Sequence, residues 1–338
     1  MSEFRYDLLS NEQVIIAPNR LTRPNLFQEI DKKSVEKTLC PFCSGHEDMT
    51  PPEIFSLKAK NSSSWDVRVV PNLYKAVQIE ATDISNIDGI YEKKDGFGAH
   101  EIIIDTPKHI ICFEDLSTLQ MKDWLSVIKL RVEDLKKDIR LTYFCIFKNQ
   151  GQNSGATLPH VHTQLIAMPL IPKNELSNLK YYFNHYKTHG RSIFKDIVDY
   201  ELEQNKRVIK ESANFISFCP YASAFSFEVM IMPKVKISSI DTLDKKLLDE
   251  ISELLKDSLS KLKVQIGNFD YNLYIQNPPM QKSYETEEFF DEIDEFYRFY
   301  IRIIPRIYKI GGFELQSKIH INPLSPENAA ELLKSTII

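Results

Sequence analysis

Asn149 to Pro169 reads N-Q-G-Q-N-S-G-A-T-L-P-H-V-H-T-Q-L-I-A-M-P. A polar, glycine-containing loop leads into His160, His162 and Gln164, and an apolar run follows. Side chains alternate faces along a strand, so these three residues are predicted to share one face. Glycine lets a backbone approach a phosphate closely. Three polar groups beside such a loop point to a reaction site rather than to packing.

Working outward, Leu141 to Phe147 (L-T-Y-F-C-I-F) is β-branched and aromatic, and predicts the strand before the loop. Further upstream, Thr118 to Lys137 carries Leu119, Trp124, Leu125, Ile128, Leu130, Val132 and Leu135 at helical spacing. Before it, His100 to Asp105 (H-E-I-I-I-D) predicts a strand closed by T-P-K-H, with His109 at its end. Val67 to Asn72 (V-R-V-V-P-N) predicts another that ends in a turn.

The same order returns downstream. Phe227 to Met232 is a predicted strand closed by Pro233-Lys234, followed by a helix over Leu243 to Leu262. A strand over Asp270 to Gln276, an acidic insert over Tyr284 to Glu295, and a strand ending at Pro305 complete it. Strand, Pro-Lys, helix, strand, loop, strand, Pro is read as an internal duplication. Aligning Pro169 with Pro305 sets His162 against Arg298 and Gln164 against Tyr300, so only the first copy carries the histidines.

Cys40 and Cys43 have the C-x-x-C spacing of a zinc knuckle and need two further ligands. A redox motif competes, but no thioredoxin-like strand precedes it. The eight histidines are 46, 100, 109, 160, 162, 185, 189 and 320. His46 is near enough in sequence to be a ligand and reads equally well as a polar loop residue. His109 and His160 could also reach the knuckle, and a Cys₂His₂ set would close the tetrahedron as a structural site. That would free His162. An imidazole is a competent nucleophile toward phosphorus when its other nitrogen is held by a hydrogen bond. Arg20 and Arg23 could grip a phosphate bidentately, although spacing alone favours two solvated arginines.

The 338 residues suit about two domains, and 43% hydrophobic with 26% charged residues suits a globular chain. A net charge of −5 argues against general attraction to nucleic acid or to an anionic membrane, so any phosphate site is local. No membrane span is predicted from the hydropathy pattern. The start M-S-E-F-R-Y-D has no apolar signal segment, and the cysteines at 40, 43, 112, 145 and 219 show no disulfide framework. A cytoplasmic location is the expectation.

Five stretches together resemble the galactose-1-phosphate uridylyltransferases, a branch of the histidine-triad superfamily. They are C-P-F-C-S-G-H-E-D-M-T-P-P-E-I from Cys40, R-V-V-P-N from Arg68, H-E-I-I-I-D-T-P-K-H from His100, the Asn149 stretch, and G-G-F-E from Gly311. The resemblance runs in order over nearly the whole chain. It implies an α+β fold of two histidine-triad-like half-domains, each a mostly antiparallel sheet with packed helices. Residues 1–172 would be the catalytic half, with the knuckle. Residues 173–338 would be a degenerate half that contributes to the sugar pocket.

The resemblance also implies a ping-pong exchange of UMP between UDP-glucose and a hexose 1-phosphate, galactose 1-phosphate. His162 would be the nucleophile and Gln164 the phosphoryl partner. Cys40, Cys43, His109 and His160 would hold one structural zinc. Arg20, Arg23, Asn72, Asn149 and Thr157 fall on nucleotide- or phosphate-contacting positions. Lys309, Phe313 and Glu314 fall near a sugar-contacting segment that reaches a partner subunit, which implies a homodimer.

Three departures stand out. Val161 replaces the usual proline between the histidines, Arg298-Phe299-Tyr300 replaces a metal-binding H-W-H, and Gln316-Ser317-Lys318 replaces a small, glycine-rich stretch. The alternatives are an ADP-sugar phosphorylase or adenylyltransferase, a nucleotide-sugar hydrolase, and a non-catalytic nucleotide binder. Typical hydrolases of the superfamily carry a further histidine where Gln164 stands, so glutamine favours transfer.

Overall fold

Strands that alternate apolar and polar side chains, and two long helices that cover one of their faces, make up most of the molecule. It is seen here in a computed structural model that describes residues 2–22, 39–58 and 64–338. A hairpin of β1 (Glu3–Tyr6) and β2 (Gln13–Ile16) opens the chain. The first half then supplies β3 (Phe55–Lys58), β4 (Trp65–Pro71), the exposed hairpin β5 (Ser85–Asp88) and β6 (Tyr91–Lys94), and β7 (Ala99–Ile104). It continues with α1 (Thr118–Leu135), β8 (Tyr143–Gln150) and β9 (His162–Met168).

Helices α2 (Lys173–His189) and α3 (Ile193–Gln204) follow. The second half holds β10 (Val208–Glu211), β11 (Phe215–Phe218), β12 (Val229–Pro233), α4 (Lys245–Ile266) and β13 (Tyr271–Gln276). It ends with the turn α5 (Ile293–Phe296), β14 (Tyr300–Pro305), α6 (Gly312–Ser317), β15 (His320–Asn322) and α7 (Pro326–Ser335).

A ten-stranded antiparallel sheet of order β10-β11-β12-β14-β13-β8-β9-β7-β4-β3 joins the two halves through β8 and β13. Read outward from that pair, the halves follow matching paths, β8-β9-β7-β4-β3 and β13-β14-β12-β11-β10. The expected α+β fold with two sheet-and-helix halves is therefore present.

The proline anchors need one adjustment. Ile104 lies opposite His162, whereas Met230, its counterpart by the first anchor, lies opposite Arg302. The second anchor would set Arg298 there, four residues short. β14 still carries no histidine, so the asymmetry between the copies stands.

Alternation sorts the sheet's two faces. Val69, Ile103, Leu165, Leu273, Ile301 and Ile231 face a core completed by Trp124, Leu125 and Ile128 of α1 and Leu255 and Leu259 of α4. Each fully buried aliphatic side chain there stabilises by about 1.5–3 kcal/mol. Met121, Val127 and Arg131 join the buried stripe of α1, while Leu119 and Leu130, expected in it, are exposed. On the opposite face, α2 and α3 cover Ile216, Phe218, Met230 and Met232 of the second half. Over the first half, that face instead meets the short segment around Cys40 and Phe42.

The first strands leave their own half. β2 runs parallel to β15, and Val14 and Ile16 pack on Ala222, Ala224 and Phe225. The acidic insert forms short turns, and Arg298 donates to the carbonyls of Asp294 and Glu295, closing α5. Among the described residues no helix is long and apolar enough to cross a membrane.

Candidate active site

The C-x-x-C segment is fixed on the first half before any metal is considered. Ser44 N–H donates to Pro107 O at 2.9 Å, and the Trp65 indole donates to Glu47 at 2.8 Å. This sets Cys40, Cys43, His109 and His160 with their ligand atoms within 4.8 Å of one another. His160 Nδ1 stands 3.5 Å from Cys40 Sγ and 3.7 Å from Cys43 Sγ, and His109 Nδ1 stands 3.4 Å from Cys43 Sγ. A tetrahedral ion with ordinary metal–sulfur and metal–nitrogen bonds needs such edges to be about 3.5 Å.

His160 donates from Nε2 to the Thr106 carbonyl at 2.9 Å, which leaves the Nδ1 lone pair for a metal. Burial pushes its pKa down to about 4, so the ring is neutral, as a ligand must be. His46 takes no part: its Nδ1 donates to the Cys40 carbonyl at 2.7 Å, and it is a polar loop residue. His160 precedes β9 rather than lying on it, so its ring meets the knuckle instead of sharing a sheet face with His162.

His162 opens β9 and is 8% exposed. Its Nδ1 lies 2.8 Å from His160 O. A carbonyl only accepts, so Nδ1 carries the proton and Nε2 keeps its lone pair. Burial lowers the His162 pKa, which favours that neutral form. Phe42 meets the ring edge-on at 5.3 Å.

Beneath the strand lies a group that sequence reading missed. The Lys148 ammonium donates to Asp105 and, at 2.9 Å, to the His162 carbonyl. Thr163 Oγ1 donates to Asp105 at 3.0 Å and accepts from Trp124 at 2.8 Å. Lys148 and Asp105 are buried, and burial pushes the carboxyl up and the ammonium down while each charge pulls the other back. A lysine on the face shared by Phe144 and Ile146 was the available signal.

Gln164 follows on the same face of β9 as His162. Its Oε1 lies 3.0 Å from His100 Nε2, and the same nitrogen lies 3.0 Å from Asn72 Nδ2. Asn72 Oδ1 is already taken by the Tyr74 N–H at 2.8 Å.

The glycine loop is held from the other half of the molecule. Asp270 Oδ2 accepts from the Asn153 backbone at 2.8 Å and from its side chain at 2.9 Å. Asn272 Nδ2 donates to Asn149 Oδ1 at 2.8 Å and to Ser154 O at 3.0 Å. Gly151 has φ +81°, and a Cβ there would lie 1.7 Å from Asp270. Asn149, Gly151, His160 and His162 line one small pocket together with Lys148.

The remaining expected residues spread out. Thr157 is exposed on the loop, and Arg20 sits in the turn after β2. Arg23 lies outside the described residues. Lys309 and Phe313 are exposed, and Glu314 accepts from Gly311 N–H at 3.0 Å to start α6. None of these three lines the pocket beside His162.

Comparison with known proteins covers the same span as this architecture. The chain is 30% identical over 336 residues to ADP-glucose phosphorylase of Arabidopsis thaliana, covering 98% of this chain and 92% of that protein. It is 24% identical to galactose-1-phosphate uridylyltransferase of Thermotoga maritima, covering 99% of each. The crystal structure of the Arabidopsis thaliana ADP-glucose phosphorylase with bound ADP-glucose superposes with a TM-score of 0.83 at 27% identity, covering 100% of both chains. Residues 1–172 match the galactose-1-phosphate uridyl transferase N-terminal domain, and residues 176–336 match its C-terminal domain. With both domain models matched in order along one chain, this protein belongs to the galactose-1-phosphate uridyl transferase family.

Proposed function

We propose that this chain is a nucleotidyltransferase working through a nucleotidyl-His162 intermediate, with a nucleoside diphosphate sugar as donor. The observation that carries the reading is the His162 tautomer: Nδ1 is spent on the His160 carbonyl, and Nε2 keeps its lone pair beside a polar loop. Nε2 attacks the α-phosphorus, the bond to the sugar phosphate breaks, and a hexose 1-phosphate leaves with the electron pair. A phosphate oxygen of the acceptor then attacks the same phosphorus, and neutral imidazole returns. Gln164 donates a neutral hydrogen bond to the phosphoryl oxygens as charge develops. Asn72, Asn149, Thr157, Arg20 and Arg23 bind the nucleotide or its phosphates.

Cys40, Cys43, His109 and His160, whose ligand atoms converge, would hold one structural zinc, and a set of four protein ligands would leave no position for substrate. The ion would stiffen the segment that carries His160, whose carbonyl orients His162. Residues 1–172 form the catalytic half. Residues 173–338 contribute Asp270 and Asn272 to the loop, and Lys309, Phe313 and Glu314 serve a sugar pocket completed in a homodimer of the cytoplasm.

The similarity to ADP-glucose phosphorylase favours an ADP-sugar donor with inorganic phosphate as acceptor, ahead of the UDP-glucose and galactose 1-phosphate pair expected from the sequence. The test incubates the protein with ADP-glucose or UDP-glucose radiolabelled at the α-phosphorus. Acid-labile, base-stable label on the protein is expected, stronger with ADP-glucose and discharged as ADP by phosphate. No label from either sugar nucleotide refutes the transfer reading.

A further inference from the structure

We propose that His100 is a positioning residue that decides which end of the Gln164 amide faces the transferred phosphoryl group. The proposal rests on the transfer reading above. His100 lies on β7, which pairs with β9 so that Gln164 is opposite Ile102, and His100 and Gln164 are diagonal neighbours on one face. His100 is buried, while Gln164 is half-buried.

The ring's tautomer follows from its partners. The Ala76 backbone N–H donates to His100 Nδ1 at 3.1 Å. A backbone amide cannot accept there, so Nδ1 carries the lone pair and Nε2 carries the hydrogen. Of the two groups near Nε2, Asn72 offers an NH₂, because its oxygen is committed to Tyr74. Gln164 Oε1 is therefore the acceptor for the His100 Nε2–H.

An amide with its oxygen turned to His100 must turn its NH₂ the other way. A glutamine free to rotate would present its carbonyl to the phosphate about as often, and a carbonyl repels phosphoryl oxygens. His100 thus keeps Gln164 a donor without itself touching substrate. The Ala76 N–H is the fixed end of the relay, so the orientation is set by backbone geometry.

The experiment measures single-turnover nucleotidylation of the protein by ADP-glucose, with maximal rate and half-saturation separated, in three variants. His100→Gln keeps an N–H within reach of the same oxygen, and its rate should stay within about threefold of the parent. His100→Leu removes the donor and should slow labelling roughly tenfold. His100→Glu offers only acceptors, reverses the amide, and should slow labelling on the order of 100-fold. Half-saturation should move less than about threefold throughout, because the lost contact belongs to the transition state.

In a Gln164→Leu background, His100→Leu should add no further loss. Equal losses in all three variants that track their thermal midpoints would overturn the proposal, as would a parental rate in His100→Glu or an additive loss in the Gln164→Leu background. An unlabelled parent protein would overturn the transfer reading, and this proposal with it.

Discussion

Lys148→Met tests whether β9, which opens at His162, rests on a buried charge. The Lys148 side chain is 1% exposed and Asp105 is fully buried, and no other cation pairs with Asp105 among the described residues. Among the described residues, removing the ammonium leaves a carboxylate in the core with only the Thr163 hydroxyl as donor. Breaking such a pair costs about 3–5 kcal/mol, and the His162 carbonyl left without its donor adds about 1–3 kcal/mol.

The loss should not be recovered by methionine packing, although the Lys148 ammonium sits 4.3 Å from the Phe113 ring centre and the new thioether would meet that ring. Guanidinium unfolding followed by tryptophan fluorescence reads the effect, since Trp124 is buried and bonded to Thr163. Adding Asp105→Asn removes the stranded charge, so the double variant should recover about 2–3 kcal/mol relative to Lys148→Met alone. Labelling of His162 should slow by at least about tenfold, because its backbone loses an anchor. A Lys148→Met protein within about 1 kcal/mol of the parent would refute the reasoning, because an unpaired buried carboxylate cannot be that cheap.

Asp270→Ala should speed amide exchange across residues 151–156 and slow nucleotidylation roughly tenfold, with the β-sheet amides unchanged, because two hydrogen bonds to Asn153 are lost. Burial raises the Glu175 carboxyl to about 7. A raised folded pKa means stability is greatest below the unfolded value near 4.5 and is lost as pH rises to about 7. Glu175→Gln should therefore match the parent at pH about 4.5 and exceed it by about 2 kcal/mol at pH 8, read from denaturant midpoints, with partial exposure discounted. Elemental analysis should find about one zinc per chain, lost in Cys43→Ser along with several degrees of thermal stability. A metal-free parent that folds normally would refute the four-ligand set.

Much of the first half was legible because its signals are local. The alternation in H-E-I-I-I-D and L-T-Y-F-C-I-F marks strands wherever they pack. The C-x-x-C spacing already brings two sulfurs to one point, and a strand–loop–strand with glycines needs no distant partner to be recognised. Helices α2 and α3 were not anticipated. Their buried stripes, Leu179, Tyr182 and Phe183 with Phe194 and Val198, are short and answer to the sheet rather than to helical spacing alone. Arg298, which the proline anchor sets against His162, instead closes a turn by donating to the Asp294 and Glu295 carbonyls.

The sequence determined the residue types and the order in which they reach the site: two thiols, spaced histidines, one glutamine, and a second copy without them. Folding decided the roles. Which histidines join the thiols depends on Ser44 meeting Pro107, a contact between residues far apart in the chain. Which nitrogen of His162 stays free, and which end of Gln164 turns outward, depends on a carbonyl at His160 and a backbone N–H at Ala76. Asp270 reaches the glycine loop across more than a hundred residues because β13 pairs with β8. Proton positions and amide orientations are set by neighbours brought together in space, and no local pattern of residues specifies those neighbours.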